Sequence, residues 1–428
     1  MSISQVRTTV TIQDYQTIRD ETEQLAAPLS PEDQQIQSVV DISPTKWHRA
    51  HITWFFETFV LRPYLPGYVE FDPDHRYLYN SYYEAIGDRH PRNERGLISR
   101  PSVHQIADYR RHVDAAMARV IDSEIAGEPQ VAELVLLGLH HEQQHQELLL
   151  SDIKHVLSKN PTLPRYHQLA VEPIRPNSSY GWVDFDGGLV EIGDDTSSFT
   201  FDNEAPRHRV FLEPFRLADR PVTNGDWLDF MADDGYHDAQ HWLSEGWTLI
   251  NREGWEAPLY WEATSSGWQV FTLHGQVPVD PSEPVCHVSY FEADAFARWA
   301  GARLPTEAEW EHASRDLEIE GNLADRGALH PLPTNQISDG TLRQMFGDVW
   351  EWTSSSYSAY PGYRAAEGAV GEYNGKFMSN QYVLRGGCCA TPAGHVRRTY
   401  RNFYPSGARW MFGGLRLAAD TSSPRTAG

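Results

Sequence analysis

Apolar residues recur at helical spacing along the first part of the chain, with polar stretches between the periodic segments. Ser43-Pro44 is a favourable cap and first-turn pair before one of these segments, and Ser102 opens another. These signals, with the polar, helix-prone composition of residues 11–28, predict four long helices that together indicate an up-and-down bundle: residues 11–28, 44–62, 102–124 and 129–158. The segment 63–101, rich in Pro, Tyr and Arg, is long for a loop inside a compact domain, which is typical of a functional segment.

The pattern changes beyond residues 159–181, a proline-rich stretch without a period that we interpret as a domain junction. Short alternating segments such as GLVEIG and HRVFLEPFRLA are strand-like, and Gly-Gly and Pro-Gly turns recur. Two helices are predicted in this half, over residues 290–300 and from Thr306 onward. The sequence therefore predicts an α+β protein, with a helical domain over residues 1–165 and a mixed domain over residues 180–420.

Composition narrows the possible partners and the compartment. The chain has 36 basic and 59 acidic residues, a formal net charge of −23, which makes nucleic acid and anionic membrane surfaces unfavourable partners. No apolar run approaches the roughly 20 residues that span a bilayer, and the N-terminus lacks the pattern of a secretory signal. Three cysteines make a poor disulfide framework, so we expect a reduced, cytoplasmic compartment. Nothing in the sequence indicates the oligomeric state.

Histidines within the predicted bundle suggest a metal site. His141 and His145 lie four residues apart, one turn along the same face of a predicted helix, so both imidazoles can reach one ion. Metal sites in bundles take their ligands from inward-facing side chains of facing helices. His51 lies in another helix among tryptophans and phenylalanines and should face the interior, and His48, three residues earlier, is a competing candidate.

The string His141-Glu142-Gln143-Gln144-His145 also matches the zincin pattern, in which Glu142 would act as a general base. A zincin takes its third ligand downstream, where Glu147, Asp152 and His155 form no recognisable signature. A zinc hydrolase is therefore the alternative that the residues leave open.

Two groups of motifs resemble a known family. SPTKWHRAHITWFFE (43–57) and HHEQQHQELLL (140–150) are similar to the DinB-like bundle of the ergothioneine-biosynthesis sulfoxide synthases. Their second domain resembles the formylglycine-generating enzyme, and four strings in the same order match it: RLPTEAEWEHASR (303–315), FGDVWEWTSSSY (346–357), VLRGGC (383–388) and FGGLRLA (412–418). The resemblance covers most of the chain and implies a C-type-lectin-like fold for the second domain.

The resemblance implies a non-haem Fe(II) site, because His51, His141 and His145 fall on the family's ligand positions and His48 does not. Three neutral imidazoles leave up to three positions open on an octahedral ion. The implied reaction joins the thiol sulfur of cysteine, or of γ-glutamylcysteine, to an imidazole carbon of hercynine, with O2, to give a sulfoxide. A selenoneine-type synthase on the same scaffold and a lectin-like protein that only binds its ligand are further alternatives.

Further site residues are implied by the same resemblance. Tyr82 and Tyr83 resemble the adjacent tyrosines of the branch that accepts free cysteine, and a phenol can deliver a proton without bringing permanent charge. Arg92 and Arg95 match an Arg-x-x-Arg pair that holds the thiol substrate, since guanidinium groups bind carboxylates in a bidentate manner. The adjacent tyrosines favour cysteine as the thiol.

The same resemblance implies three residues that bind hercynine. Trp410 and Phe412 occupy the family segment that meets the trimethylammonium group, which favours aromatic faces. Gln144 corresponds to a glutamine near the imidazole, to which it can hydrogen-bond. Formylglycine formation itself is not expected, because that enzyme uses a copper-binding cysteine pair and the adjacent Cys388 and Cys389 do not reproduce its spacing.

Overall fold

The computed structural model describes residues 10–167, 180–194, 199–334, 340–365 and 369–421. The chain divides into two compact units. The helical unit comprises Met1–His167, Ser197–Phe199 and Ala365–Tyr373, and the mixed unit comprises Gln168–Thr196, Thr200–Arg364 and Asn374–Gly428. Across the described ranges, no helix combines the length and apolar character needed to cross a membrane. The domain bounds 1–165 and 180–420 stay predictions.

The helical unit contains the four long helices that the periodicity predicts, with short helices between them. The first and the third of the long helices each begin with a capping box, at Thr11 and at Ser102. The side chain of each N-cap residue accepts the backbone N–H of the residue three positions later, and the side chain of that residue, Asp14 or Gln105, accepts the backbone N–H of the N-cap residue. A π-helical stretch, Glu57–Leu61, continues the second helix. The helices are α1 Ile12–Ala26, α2 Thr45–Phe56, α3 Arg62–Tyr64, α4 His75–Leu78, α5 Val103–Ile121 and α6 Pro129–Ser158.

The contact between α2 and α6 is close because α6 has a glycine where it meets two phenylalanine rings. A Cβ added at Gly138 would lie 2.5 Å from Cε1 of Phe56 and 3.0 Å from Cε1 of Phe55. Both distances are shorter than ordinary van der Waals contact, so only glycine fits there without a shift. This close approach brings the helix that carries His51 against the helix that carries His141 and His145.

Residues 369–373 belong to the helical unit although they lie far along the chain. The short 3-10 helix Ala369–Glu372 contacts the 3-10 helix Glu84–Ile86. The Glu372 carboxylate accepts the backbone N–H groups of Glu84, at 3.0 Å, and Ala85, at 2.9 Å. We call Ala369–Tyr373 the returning segment. Nothing in the local sequence pattern predicts it.

Within the described residues, the mixed unit contains four α-helices and short strands. Its helices are α7 Asn224–Ala232, α8 Ser244–Glu253, α9 Tyr290–Trp299 and α10 Glu307–Ser314. Its strands are β1 Trp182–Phe185, β2 Gly188–Ile192, β3 His208–Leu212, β4 Phe215–Ala218, β5 Trp261–Thr264, β6 Gly267–Thr272, β7 Gly275–Pro278, β8 Gly321–Asn322, β9 Phe346–Gly347, β10 Trp350–Ser356, β11 Gln381–Arg385, β12 Asn402–Pro405, β13 Gly413–Gly414 and β14 Ala418–Asp420.

The strands of the mixed unit pair into small sheets, most of them antiparallel. Within the described residues the strand orders are β1-β4-β14, β12-β11-β10-β13, β2-β3, β5-β6-β7 and β8-β9. The pairs β10–β13 and β8–β9 are parallel. The predicted α9 and α10 are present, and each begins with a capping box, at Ser289 and Thr306.

A buried ion pair connects three of the sequence motifs of the mixed unit. The Glu351 carboxylate pairs with the Arg416 guanidinium at 2.8 Å, and both side chains are almost fully buried. The same carboxylate accepts the indole N–H of Trp310 at 2.8 Å. These residues come from RLPTEAEWEHASR, FGDVWEWTSSSY and FGGLRLA, so the motifs are explained in part by one buried polar cluster. Cys388 and Cys389 are buried and no disulfide joins them.

Candidate metal centre

Three histidines meet between α2 and α6. His51 lies on α2, and His141 and His145 lie one turn apart on α6. One ring nitrogen from each lies within 4.8 Å of the others. His51 and His141 are fully buried and His145 is half-buried. The structure therefore brings together the three histidines that the sequence analysis selected.

The ring nitrogens of this cluster fit a metal ion. His51 Nδ1 lies 2.6 Å from the carbonyl oxygen of Tyr79, to which it donates, and its buried Nε2 has no hydrogen-bond partner within the described part of the chain. The two ring nitrogens of His141 also lack a hydrogen-bond partner among the described residues. Buried nitrogens without partners are costly, and neutral imidazoles are good ligands for iron, zinc, copper or nickel. The three side chains could thus hold such an ion.

The electrostatics of the cluster keep its imidazoles neutral. Burial, with a further effect of His48, lowers the pKa of His141 to about 3. Burial, followed by the neighbouring His141, lowers the pKa values of His51 and His145 well below the ordinary range. A neutral imidazole offers its lone pair to a metal without first releasing a proton.

Aromatic rings sandwich His51. The Trp47 ring stacks on one side, with ring centroids 4.6 Å apart and an interplanar angle of 13°. Trp54 stacks on the other side at 5.5 Å and 16°. Both indoles belong to the same helix as His51, so α2 contributes to fixing the plane of the His51 ring. The sandwich leaves the ring little freedom to rotate.

His48 is not one of the three clustered histidines. Its Nδ1 lies 2.7 Å from Nδ1 of His145, and its Nε2 lies 2.9 Å from a carboxylate oxygen of Asp152. Both of its ring nitrogens are therefore engaged with protein groups. Of the two candidates on α2, His51 is the one that belongs to the cluster.

Glu142 faces away from the cluster, which argues against a role as the general base of a zinc hydrolase. Its carboxylate is fully buried and is bound by Arg19 at 2.8 Å, Thr22 at 2.7 Å and Arg110 at 3.1 Å. Successive helical residues differ in direction by about 100°, so the neighbour of a ligand lies on another face. Two guanidinium groups pair with this carboxylate, which thereby connects α6 with α1 and α5.

The tyrosines form a group beside the cluster that includes one residue the sequence analysis missed. The rings of Tyr82 and Tyr83 lie 4.7 Å apart, and Tyr83 is buried against Trp54. Tyr373, in the returning segment, lies 6.0 Å from the Tyr82 ring and 5.5 Å from the His141 ring. Burial raises the pKa of Tyr83 well above its ordinary value, so its phenol stays protonated.

Arg95 is a buried cation beside the cluster. Its guanidinium carbon lies 3.4 Å from the centroid of the Trp47 ring, on which it stacks. It donates to the hydroxyl oxygens of Ser43 at 2.8 Å and Ser81 at 3.3 Å, and its buried Nε has no partner in the described ranges. Burial, with a smaller effect of Arg92, lowers the pKa of Arg95 well below the ordinary value. Arg92 itself is exposed and donates to the Asp41 carbonyl.

The remaining predicted site residues lie in both units. Gln144 is half-buried on α6 directly before His145. In the mixed unit, Phe412 is buried against His287 at 4.9 Å, and the Trp410 ring stands edge-on to Tyr404 at 5.6 Å. The roles of these three residues in substrate binding stay predictions.

Comparison with known proteins identifies both parts of the chain. The DinB superfamily model matches residues 14–149, and the model of the sulfatase-modifying factor enzyme 1-like domain matches residues 170–421. The formylglycine-generating enzyme of Streptomyces coelicolor is 32% identical over 261 residues, which cover 51% of this chain and 82% of that protein. The predicted order of a helical and a mixed α+β domain is thereby confirmed.

Other relatives match along most of the length of the chain. The hercynine oxygenase of Mycolicibacterium thermoresistibile is 34% identical over 412 residues, which cover 89% of this chain and 88% of that protein. The hercynine oxygenase of Mycobacterium tuberculosis is 33% identical over 407 residues, with 89% and 91% covered. The predicted family is confirmed: a DinB domain carrying a three-histidine cluster, followed by a sulfatase-modifying-factor-like domain, makes this chain a member of the hercynine oxygenases, the oxidoreductases of ergothioneine biosynthesis.

Proposed function

We propose that this enzyme is an Fe(II)- and O2-dependent sulfoxide synthase that joins the thiol sulfur of cysteine, or of γ-glutamylcysteine, to the imidazole carbon of hercynine. In the net reaction the thiol and the imidazole carbon each lose one hydrogen. One oxygen atom of O2 is added to sulfur and the other leaves as water. The proposal is supported by the family membership and by the chemistry of the side chains around the histidine cluster.

His51, His141 and His145 would hold the iron through neutral imidazole nitrogens. Bound Fe(II) would supply O2 activation and open coordination positions for the substrates. The low pKa values of the three histidines favour binding near neutral pH, because protons compete weakly for the same lone pairs. Because the three ligands carry no charge, an anionic thiolate from the substrate is a suitable further ligand.

The observation that carries the proposal furthest is the buried charge of Arg95. A guanidinium in a low-dielectric site without a carboxylate partner is unfavourable, and no ion pair of Arg95 occurs among the described residues. An α-carboxylate of an amino acid would neutralise it and could accept two parallel hydrogen bonds. The Arg95 guanidinium, the Trp47 ring and the His51 ring are stacked in that order. A thiol substrate held there would lie beside the proposed metal ligands.

A phenol beside the histidines would deliver a proton during the reaction. Tyr82 and Tyr83 are the predicted donors, and the contact of Tyr373 with the His141 ring makes Tyr373 the strongest candidate of the three. A buried phenol remains protonated at neutral pH and can donate from its hydroxyl oxygen. Tyr82 then supports Tyr373 through their ring contact.

Three of the predicted residues have side chains whose chemistry suits one part of hercynine. Gln144, next to His145, can hydrogen-bond an imidazole nitrogen. The aromatic faces of Trp410 and Phe412 suit a trimethylammonium group, which has no hydrogen to donate.

The test is a reconstitution under anaerobic conditions. The protein is loaded with Fe(II), hercynine is added with cysteine or with γ-glutamylcysteine, and O2 is then admitted. We expect O2 uptake only when both substrates are present, and a product whose mass equals that of the conjugate plus one oxygen atom. The absence of a sulfoxide with either thiol would refute the proposal, and the faster of the two thiols identifies the substrate.

A further inference from the structure

A buried hydrogen-bonded chain runs from a metal ligand to the buried arginine. His145 contacts His48 through their Nδ1 atoms at 2.7 Å, and Nε2 of His48 lies 2.9 Å from Oδ2 of Asp152. The same Oδ2 accepts the backbone N–H of Ser43 at 2.8 Å. The Ser43 hydroxyl in turn accepts from Arg95 at 2.8 Å. His48, Asp152 and Ser43 are each at most 4% exposed.

The chemistry of this chain determines which nitrogen of His145 carries the proton. A carboxylate only accepts, so Nε2 of a neutral His48 carries the hydrogen and its Nδ1 offers a lone pair. The short contact between the two Nδ1 atoms then requires that Nδ1–H of His145 be the donor. Nε2 of His145 is left with a free lone pair, which is the form that binds a metal.

The three clustered histidines differ in how they are held. His51 is fixed by the backbone carbonyl of Tyr79, which a side-chain substitution does not remove. His141 has no hydrogen bond from either ring nitrogen within the described residues. His145 alone of the three depends on a side-chain relay, so its orientation can be altered without touching a ligand.

We propose that His48 and Asp152 are positioning residues that hold His145 with its Nε2 lone pair toward the metal, and that Ser43 couples this pair to the carboxylate site at Arg95. The proposal rests on the proposed function, since it takes the histidine cluster as the metal site and Arg95 as the carboxylate site. Ser43 lies two residues before the first residue of α2, the helix of His48 and His51. A carboxylate that binds Arg95 therefore acts on the start of the helix that positions the metal site.

The first test measures the tautomer and the metal affinity without turnover. In the metal-free protein, nitrogen-15 NMR of histidine should show His145 as the Nδ1–H tautomer, and the Nε2–H tautomer would overturn the proposal without any variant. Co(II) affinity is then measured by d–d absorption with a competing chelator. We expect His48→Leu to weaken Co(II) binding by about 10- to 100-fold, the usual effect of removing a partner of a metal-bound histidine.

Two variants make this result specific. His48→Asn can keep an acceptor oxygen where Nδ1 lies, so it should recover most of the affinity that His48→Leu loses. His155→Leu is the matched control, because His155 is a buried histidine of α6, the helix of His145, and its Nδ1 contacts Ser38. It should bind Co(II) like the unaltered protein. Equal affinity of His48→Leu and the unaltered protein, or equal losses in His48→Leu and His155→Leu, would contradict a positioning role.

The second test measures whether a carboxylate bound at Arg95 changes the affinity for Co(II). It uses L-alanine, a carboxylate probe that has no thiol. Saturating L-alanine should tighten Co(II) binding, by at least the roughly fivefold that is typical of coupled sites. Ser43→Ala should abolish this effect. Ser81→Ala is the matched control, because it removes the other hydroxyl partner of Arg95 and leaves the path to Asp152 intact. No coupling in the unaltered protein, or equal coupling in both variants, would refute this part.

Neither test depends on sulfoxide formation. If the reconstitution gives no sulfoxide while the tautomer and the Co(II) affinities follow the expected order, the proposed function fails and the positioning role of His48 stands. If the sulfoxide forms while the tautomer and the Co(II) affinities do not follow the expected order, the proposed function stands and the positioning role of His48 is refuted.

Discussion

At the scale of single residues, Arg95 offers the sharpest test of substrate binding. Lysine would keep the charge but lose the planar fork and the stack on Trp47. Hydrogen bonds to charged groups are worth about 1.5–3 kcal/mol, so Arg95→Lys should raise the KM of the thiol by about 10- to 100-fold. The kcat should change little. Steady-state kinetics with hercynine held saturating measure both constants.

Arg89→Lys is the control for this substitution. Arg89 lies in the same segment, but it is exposed and pairs with Glu84 at 3.1 Å. Its substitution should leave both constants unchanged. A fall in kcat with an unaltered KM in Arg95→Lys would contradict a role in holding the thiol substrate.

Tyr373 provides a second test at the residue scale. Removal of a positioned proton donor typically lowers a rate by about 10²- to 10⁴-fold, so Tyr373→Phe should lower kcat in this range with little change in either KM. The ring contact with His141 would be kept, because phenylalanine retains the ring. Tyr82→Phe, in the partner ring, should have a smaller effect. The opposite order of the two effects would return the donor role to the adjacent tyrosines.

At the scale of elements, the residue after His141 connects α6 to two other helices on a face directed away from the histidine cluster. Glu142 joins α6 to α1 through Arg19 and to α5 through Arg110. Removing one partner of a buried ion pair costs about 3–5 kcal/mol. Glu142→Gln should therefore lower the free energy of unfolding by about this amount, measured by urea denaturation. Its kcat per folded molecule should stay close to that of the unaltered enzyme.

The comparison with an exposed pair of the same bundle makes the Glu142 result interpretable. Asp108→Asn breaks an exposed pair with Arg111 on α5, and exposed pairs contribute about 0–1 kcal/mol. It should hardly alter stability. A Glu142→Gln variant that folds normally but is inactive would revive the general-base interpretation.

At the scale of the whole molecule, features set by local sequence signals could be predicted, and features set by contacts between distant residues could not. The four helices were predictable because their periodicity and their caps, such as Ser102 with Gln105, are local signals. The pair His141 and His145 followed from spacing, whereas the choice of His51 over His48 required the family resemblance. Tyr373 was missed because it joins the helical unit through a contact between residues nearly 300 positions apart, which has no local signal.

Side-chain direction on a helix accounts for the other differences. The zincin pattern was visible in the letters around Glu142, but periodicity alone does not say that two arginines from other helices bind its carboxylate. Likewise, periodicity does not show that the hydrogen-bond partners of His48 lie on α6. Long-range polar pairing is therefore the part of the site that the sequence did not reveal.

The acid dependence of unfolding is a property of the whole molecule to which buried histidines contribute. Burial lowers the pKa of His155 from 6.5 to about 4, so between these values the unfolded chain binds a proton that the folded chain does not. Stability from this group is complete above pH 6.5 and falls as the pH drops toward 4, because unfolding is favoured wherever the unfolded state binds more protons. At pH 5 the loss amounts to about 2 kcal/mol.

His155→Leu tests this contribution without touching the histidine cluster. The free energy of unfolding of the metal-free protein is measured by urea denaturation at pH 7 and pH 5, for the variant and the unaltered chain. The decrease between the two pH values should be smaller in the variant by about 2 kcal/mol, whatever its stability at pH 7. His51, His141 and His145 keep part of the acid dependence in both proteins, since their pKa values are also lowered by burial. An identical decrease in both proteins would show that His155 titrates at its ordinary pKa.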